Sequence, residues 1–197
     1  MALDQQLEIA WRARPARGEY RCGDLVVIEP VGEGSMLVAL IDGLGHGRLA
    51  EEAAQAAGAF VRAHAGLPLE LLFSRCSEAI SDTRGVAMSV VRLSGDPLGF
   101  EHAGVGNVAL ASVTREAVAT QLVTGVVGQR PRKLASTRHG LHSGDLLLLF
   151  TDGISSRLDL IQLREEKAEQ TVDAVMRGFA KAHDDAACVA IECKSSA

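Results

Sequence analysis

The chain has only four cysteines in 197 residues, Cys22, Cys76, Cys188 and Cys193, and no two of them form a C-x-x-C pair. A zinc knuckle needs paired ligands in a turn. These thiols lie in segments patterned as strands or helices, so they read as buried free thiols of a reducing compartment. A basic surplus is also missing: 20 Lys and Arg stand against 25 Asp and Glu, a formal charge of −5. With the arginines scattered, no electrostatic footprint for a nucleic acid is present. The apolar run LLLLF at 146–150 is far shorter than the ~20 residues of a membrane helix. The opening MALDQQLEIAW has no basic-then-apolar secretion pattern. No nucleic acid, no membrane and a cytoplasmic location are therefore expected, and no repeat or low-complexity segment interrupts the chain.

What is present, 47% hydrophobic and 23% charged residues, suits one globular domain over 1–197 without an added sensor domain. LEIAWRAR (7–14), DLVVIEP (24–30) and SMLVALI (35–41) read as a meander of strands, with Gly32 and Gly34 in the last turn. A helix is expected from His46 to about Ala65, with Leu49, Ala53, Ala56, Ala57, Phe60 and Val61 on its apolar face and Trp11 placed in the core. A second helix follows over about Leu69–Ser81. Strands at 86–93, 99–104, 108–113 and 119–123 then form a second sheet region. The fully apolar strand in SGDLLLLFTDG (143–153), an amphipathic helix over 163–183 and a last strand, ACVAIEC, close the chain. Two runs of strands with helices after the third and before the last predict two packed sheets covered by helices, each sheet burying both faces.

Four aspartates fall at strand ends. Asp24 begins a strand, Asp42 and Asp152 end strands in IDG and TDG, and Asp184 stands in HDD before the final strand. Taken singly, each reads as a turn or a solvated cap. Taken together, carboxylates gathered at one edge of a sandwich repel one another unless a cation neutralises them. Oxygen donors without a histidine cluster select Mg²⁺ or Mn²⁺ over zinc. Glycine after Asp42 and Asp152 lets backbone approach such an ion, and the Gly43 carbonyl is itself a candidate ligand.

The ordered segments CGDLVVIEP, IDGLGHG, RGVAMSVVRL, FTDGISS and HDDAACVAIE resemble the motifs of the metal-dependent type 2C serine/threonine protein phosphatases, in their bacterial sporulation branch. The resemblance spans nearly the whole chain. It implies an α/β fold, a four-layer α-β-β-α sandwich of two mainly antiparallel sheets, with two Mn²⁺ or Mg²⁺ ions at one end. By the resemblance Asp42 bridges the ions, the Gly43 carbonyl joins one, Asp152 and Asp184 hold the other, and Asp24 lies near the first. Water activated by the ions would then attack phosphoserine or phosphothreonine without a protein nucleophile, so Asp42, Asp152 and Asp184 act through the metal. SDTRGVAMSVVRL (81–93) and TGVVGQRPRKL (124–134) are similar to members that reset a stressosome. That implies phosphorylated STAS domains (sulphate-transporter/anti-sigma-antagonist) as partners and negative feedback in stress signalling.

The chain also departs from the pattern. Cys22 and Gly23 precede Asp24 where eukaryotic members carry a glutamate, and Ala187 replaces a frequent Thr. His46 stands two residues beyond the family's general-acid histidine and reads as a helix-entry residue. Arg17 and Arg21 read as surface arginines able to steer phosphate, Asn107 as a turn residue, and His102, His139 and His142 as lacking carboxylate partners. Two rival readings stay open. One is a phosphatase-like binding module without turnover. The other is an ATP-binding anti-sigma kinase, whose Asp-x-Gly-x-Gly box DGLGHG resembles but whose preceding Asn-bearing helix is missing here.

Overall fold

A computed structural model describes residues 3–129, 134–164 and 166–194. Four residues of the segment TGVVGQRPRKL, 130–133, lie outside the described residues. The chain runs α1 (Leu3–Gln6), β1 (Leu7–Arg14), β2 (Asp24–Pro30), β3 (Ser35–Gly43), α2 (Arg48–Ala63), α3 (Leu69–Ala79), β4 (Val86–Gly95), β5 (Leu98–Val105), β6 (Ala109–Val113), β7 (Leu122–Val123), β8 (Thr137–Gly140), β9 (Leu146–Phe150), a 3-10 turn (Leu160–Leu163), α4 (Ala168–Phe179) and β10 (Ala186–Cys193).

One sheet has the order β1-β10-β9-β6 and is antiparallel throughout. The other has the order β2-β3-β4-β5-β7, with β8 also on β5; its strands pair antiparallel except for the short parallel β5–β7 contact among the described residues. The expected meander is corrected at its first strand. β1 leaves β2 and β3 and pairs with β10 along its whole length. Nor do the four strands expected over 86–123 form a new sheet: β4 returns antiparallel beside β3, β5 and β7 follow it, and β6 joins β9 in the first sheet. Alternation along a strand reports which residues are buried but not which partner buries them, so neither pairing could be read from the pattern.

Three apolar layers hold the sandwich. Val38, Leu40 and Val91 meet Leu147, Leu149, Val189 and Ile191 between the sheets. Ala53, Ala57, Val61 and Leu72 of α2 and α3 cover Leu37, Ile41, Met88 and Val90. Val172 and Val175 of α4 cover Leu146, Leu148, Cys188 and Ala190. LLLLF is therefore unbroken because alternate leucines face different layers, each contributing about 1.5–3 kcal/mol by burial. The cysteines are free and at least half-buried, as read from the sequence.

The helix boundaries moved. Leu49 is exposed, and Ala50 and Ala54 take its place on the buried face of α2. The helix expected over 163–183 starts at Ala168, because the Gln170 side chain accepts the Lys167 N–H at 3.1 Å and Glu192 accepts the Ala168 N–H at 3.0 Å. Trp11 is 48% exposed rather than core, since β1 is an edge strand. Among the described residues no helix is long and apolar enough to cross a membrane.

Candidate metal centre

Strand polarity alone brings the predicted acids to one end. In the antiparallel β2–β3 pair the first residue of β2, Asp24, lies directly opposite Asp42 near the end of β3. Asp42 in turn faces Ala87 at the start of β4. In the other sheet Phe150, which closes β9, pairs with Cys188 near the start of β10, so Asp152 and Asp184 leave the sheet together. Asp42, Asp152 and Asp184 line one cavity of about 280 Å³ with Leu44, Gly45, His46 and Asn107. Asp24 lies behind them, 6% exposed, and its Oδ2 accepts the Thr151 hydroxyl at 2.7 Å. That bond spans the two sheets, and Thr151 also accepts the Ala187 N–H at 3.0 Å, so Ala187 contributes its backbone where no hydroxyl is available.

The two glycines also have a packing role that was not read from the sequence. A Cβ on Gly43 would sit 2.1 Å from the Ala50 carbonyl oxygen, and one on Gly153 would sit 1.8 Å from the Asp185 carbonyl oxygen. Each Asp-Gly thus lets one backbone segment press against another, which fixes the acid beside it. The Gly43 N–H also donates to the Gly23 carbonyl at 2.9 Å, tying the two residues that flank Asp24 and Asp42.

Three contributors to the site were not assigned to it from the sequence. Asn107, expected to be a turn residue, donates its amide to Asp152 Oδ2 at 2.6 Å and lines the same cavity as Asp42. Asp185, the second acid of HDD, is buried and accepts the N–H groups of Ala16 at 2.8 Å and Gly23 at 2.7 Å, pinning the β1–β2 connection to the start of β10. Thr151 is the third. A Gly-Asn turn and a Thr before Asp-Gly carry no local signal of a partner 45 or 127 residues away, whereas a doubled Asp before a strand was a visible one. His46 is corrected as well: α2 begins at Arg48 with Gly47 as its cap, so His46 precedes the helix and lines the cavity, 3.8 Å from Glu19. Arg21 pairs with Glu51 and Arg17 is exposed. His142, expected to lack acidic partners, lies 3.7 Å from both Glu116 and Asp145.

Among the described residues none of Asp24, Asp42, Asp152 and Asp184 has a Lys or Arg ion pair, and Lys181 donates to the Asp152 backbone carbonyl rather than to its carboxylate. Burial, then repulsion from Asp42, holds the Asp24 carboxyl up at about 8 despite the Thr151 hydrogen bond. Burial, then repulsion from Asp152 and Asp184, holds Asp42 at about 7. Among the described residues no three Asp, Glu, His or Cys side chains are already arranged around a metal position. The donor chemistry nevertheless fits a hard divalent cation, being oxygen only and carrying excess charge.

A stability prediction follows, and its sign is fixed by the two raised carboxyls. The folded protein holds protons that the unfolded chain, with aspartates near ~4, has released. Metal-free stability should therefore fall as pH rises from about 4 to about 8. Mg²⁺ or Mn²⁺ relieves that cost only where the acids are ionised. The rise in Tm on adding either ion should be larger at pH 8 than at pH 5, as differential scanning fluorimetry would read directly.

No protein-family model matches the chain. The phosphoserine phosphatase RsbX of Bacillus subtilis (strain 168) is 27% identical over 140 residues, 70% of each protein. A chain from a structural study of the bacterial stressosome, described there as a modular system adapted to control secondary messenger signalling, superposes with a TM-score of 0.88. It is 27% identical and covers 95% of this chain and 100% of its own. RsbX in complex with magnesium superposes with a TM-score of 0.86 at 20% identity, covering 96% of each chain. The two-sheet sandwich is thus the type 2C phosphatase fold. The ATP-box reading falls with it, since Asp42 follows a strand hairpin and not an Asn-bearing helix.

Proposed function

We propose that this chain, a type 2C protein phosphatase similar to RsbX, hydrolyses phosphoserine and phosphothreonine with divalent cations held by Asp24, Asp42, Asp152, Asp184 and the Gly43 carbonyl. The observation that carries the reading is the convergence of Asp42, Asp152 and Asp184 on one cavity, with no Lys or Arg ion pair to any of them among the described residues. When bound, Mg²⁺ or Mn²⁺, two ions in this reading, lowers the pKa of water and draws charge from the phosphoryl oxygens.

The chain's own residues set the stage for that chemistry. Asn107 holds the Asp152 carboxylate toward Asp42, Thr151 orients Asp24, and Lys181 fixes the Asp152 backbone. Among the described residues the cavity lining includes no Ser, Thr or Cys, in keeping with direct attack by water. The substrate assignment rests on the likeness to RsbX and to the stressosome chain: phosphorylated STAS-domain proteins of a stressosome, dephosphorylated as negative feedback. In this reading residues 1–197 form one catalytic domain, and control comes from the supply of substrate.

The test is phosphate release from a phosphoserine STAS-domain protein, followed by mass spectrometry. Turnover is expected with Mn²⁺ or Mg²⁺ and loss of turnover with EDTA. Turnover that survives EDTA would discard the metal mechanism, and no turnover on any STAS domain would discard the substrate.

A further inference from the structure

A phosphoryl dianion entering this cavity meets three carboxylates, so a side-chain cation at the rim would strengthen its binding beyond what the metal supplies. Most nearby cations are committed. Arg21 pairs with Glu51, Arg48 with Glu52, and Lys181 is bonded to the Asp152 carbonyl. Arg84 is different. It is exposed, and among the described residues it makes no ion pair.

Its position is fixed by the fold. β3 ends and β4 begins at the same sheet edge, with Gly43 opposite Val86, so the turn before β4 lies beside the loop that follows Asp42. The Leu44 N–H donates to the Gly85 carbonyl at 3.1 Å and joins the two segments. Thr83 stiffens the turn, donating its hydroxyl to the Ile80 carbonyl at 2.7 Å and accepting the Gly85 N–H at 3.0 Å. The Arg84 guanidinium then lies over Gly45, a residue of the cavity wall: a Cβ built on Gly45 would stand only 2.9 Å from Arg84 Nη1. The glycine leaves the planar fork lying against bare backbone at the rim.

Resting on the phosphatase reading above, we propose that Arg84 binds the phosphoryl group of the incoming phosphoserine or phosphothreonine. A guanidinium supplies paired N–H donors that match two phosphoryl oxygens, and it keeps its charge at any working pH. The ammonium of a lysine provides charge without the fork, so Arg84→Lys should recover only part of the function.

The probe is a fluorescein-labelled peptide carrying the non-hydrolysable phosphonate analogue of phosphoserine, with its unmodified counterpart as control, in saturating Mg²⁺. Arg84→Ala should weaken phosphonate-peptide binding about 10- to 100-fold, leave the control peptide and the Tm unchanged, and raise KM more than it lowers kcat. Arg84→Lys should fall between. Equal affinity of the wild type and Arg84→Ala for the phosphonate peptide, or no wild-type preference for it over the control, overturns the proposal. Arg84-dependent binding without wild-type hydrolysis would uphold this inference and discard the catalytic reading. Hydrolysis with an unaltered KM in Arg84→Ala would do the reverse.

Discussion

Asp42→Asn should abolish phosphate release, by roughly 10³-fold or more, about 4 kcal/mol of barrier, while making the metal-free protein more stable. The two effects have one cause. Asp42 is a largely buried carboxylate repelled by Asp152 and Asp184, and its carboxyl is held at about 7. Replacing it with an amide of the same size removes the repulsion and keeps the shape. Without metal, the variant should melt above the wild type at pH 8, by a few degrees if it gains about 1 kcal/mol. Near pH 4.5, where the wild-type group is already protonated, the gap should close. Calorimetric Mn²⁺ titration should show the variant losing tight uptake. An aspartate that merely capped a strand would show the opposite pairing, with stability lost and metal uptake unchanged.

Gly153→Ala has the largest effect expected on the fold. The added methyl would lie 1.8 Å from the Asp185 carbonyl oxygen and 2.9 Å from the Ala186 Cα, both backbone atoms without a rotamer to retreat to. Strand β10 must then separate from the turn after β9, which carries Asp152 away from Asp184 and strains the Thr151 contact with Ala187. A loss of about 3 kcal/mol or failure to fold is expected, read as a chemical-denaturation midpoint. Gly178→Ala in α4 supplies the contrast. Nothing lies within 4 Å of its added methyl, so the same substitution should be neutral or stabilise by up to ~1 kcal/mol.

Gly43 and Gly153 also show how much of the site was legible in the sequence. Both Asp-Gly steps stood out because each follows a strongly apolar strand, and the pairing of charge with burial pointed to a cation. The reason for the glycines was not visible. They admit the Ala50 and Asp185 carbonyls, backbone groups whose approach depends on how α2 and β10 pack. Segments whose burial is local were readable: β2, β3, β4 and β9 fell where alternation or unbroken apolarity placed them. Features set by distant pairing were not. Trp11 reads as core in any apolar strand, and only the position of β1 at the sheet edge exposes it. Asn107 joins Asp152 across 45 residues and Thr151 joins Asp24 across 127, and short polar side chains beside glycine announce neither. His46 went astray by two residues because the amphipathic pattern of α2 continues through a loop that the Gly47 cap separates from the helix.

The central claim is that carboxylates from both sheets share divalent cations at one end of the sandwich. Anomalous diffraction from crystals soaked in Mn²⁺ at pH 8 tests it most directly. The account predicts manganese peaks in the cavity bounded by Asp42, Asp152 and Asp184, with those side chains turned from Asn107 toward the ions. Saturating Mn²⁺ that leaves this cavity without a peak, or binds only elsewhere on the molecule, would contradict it.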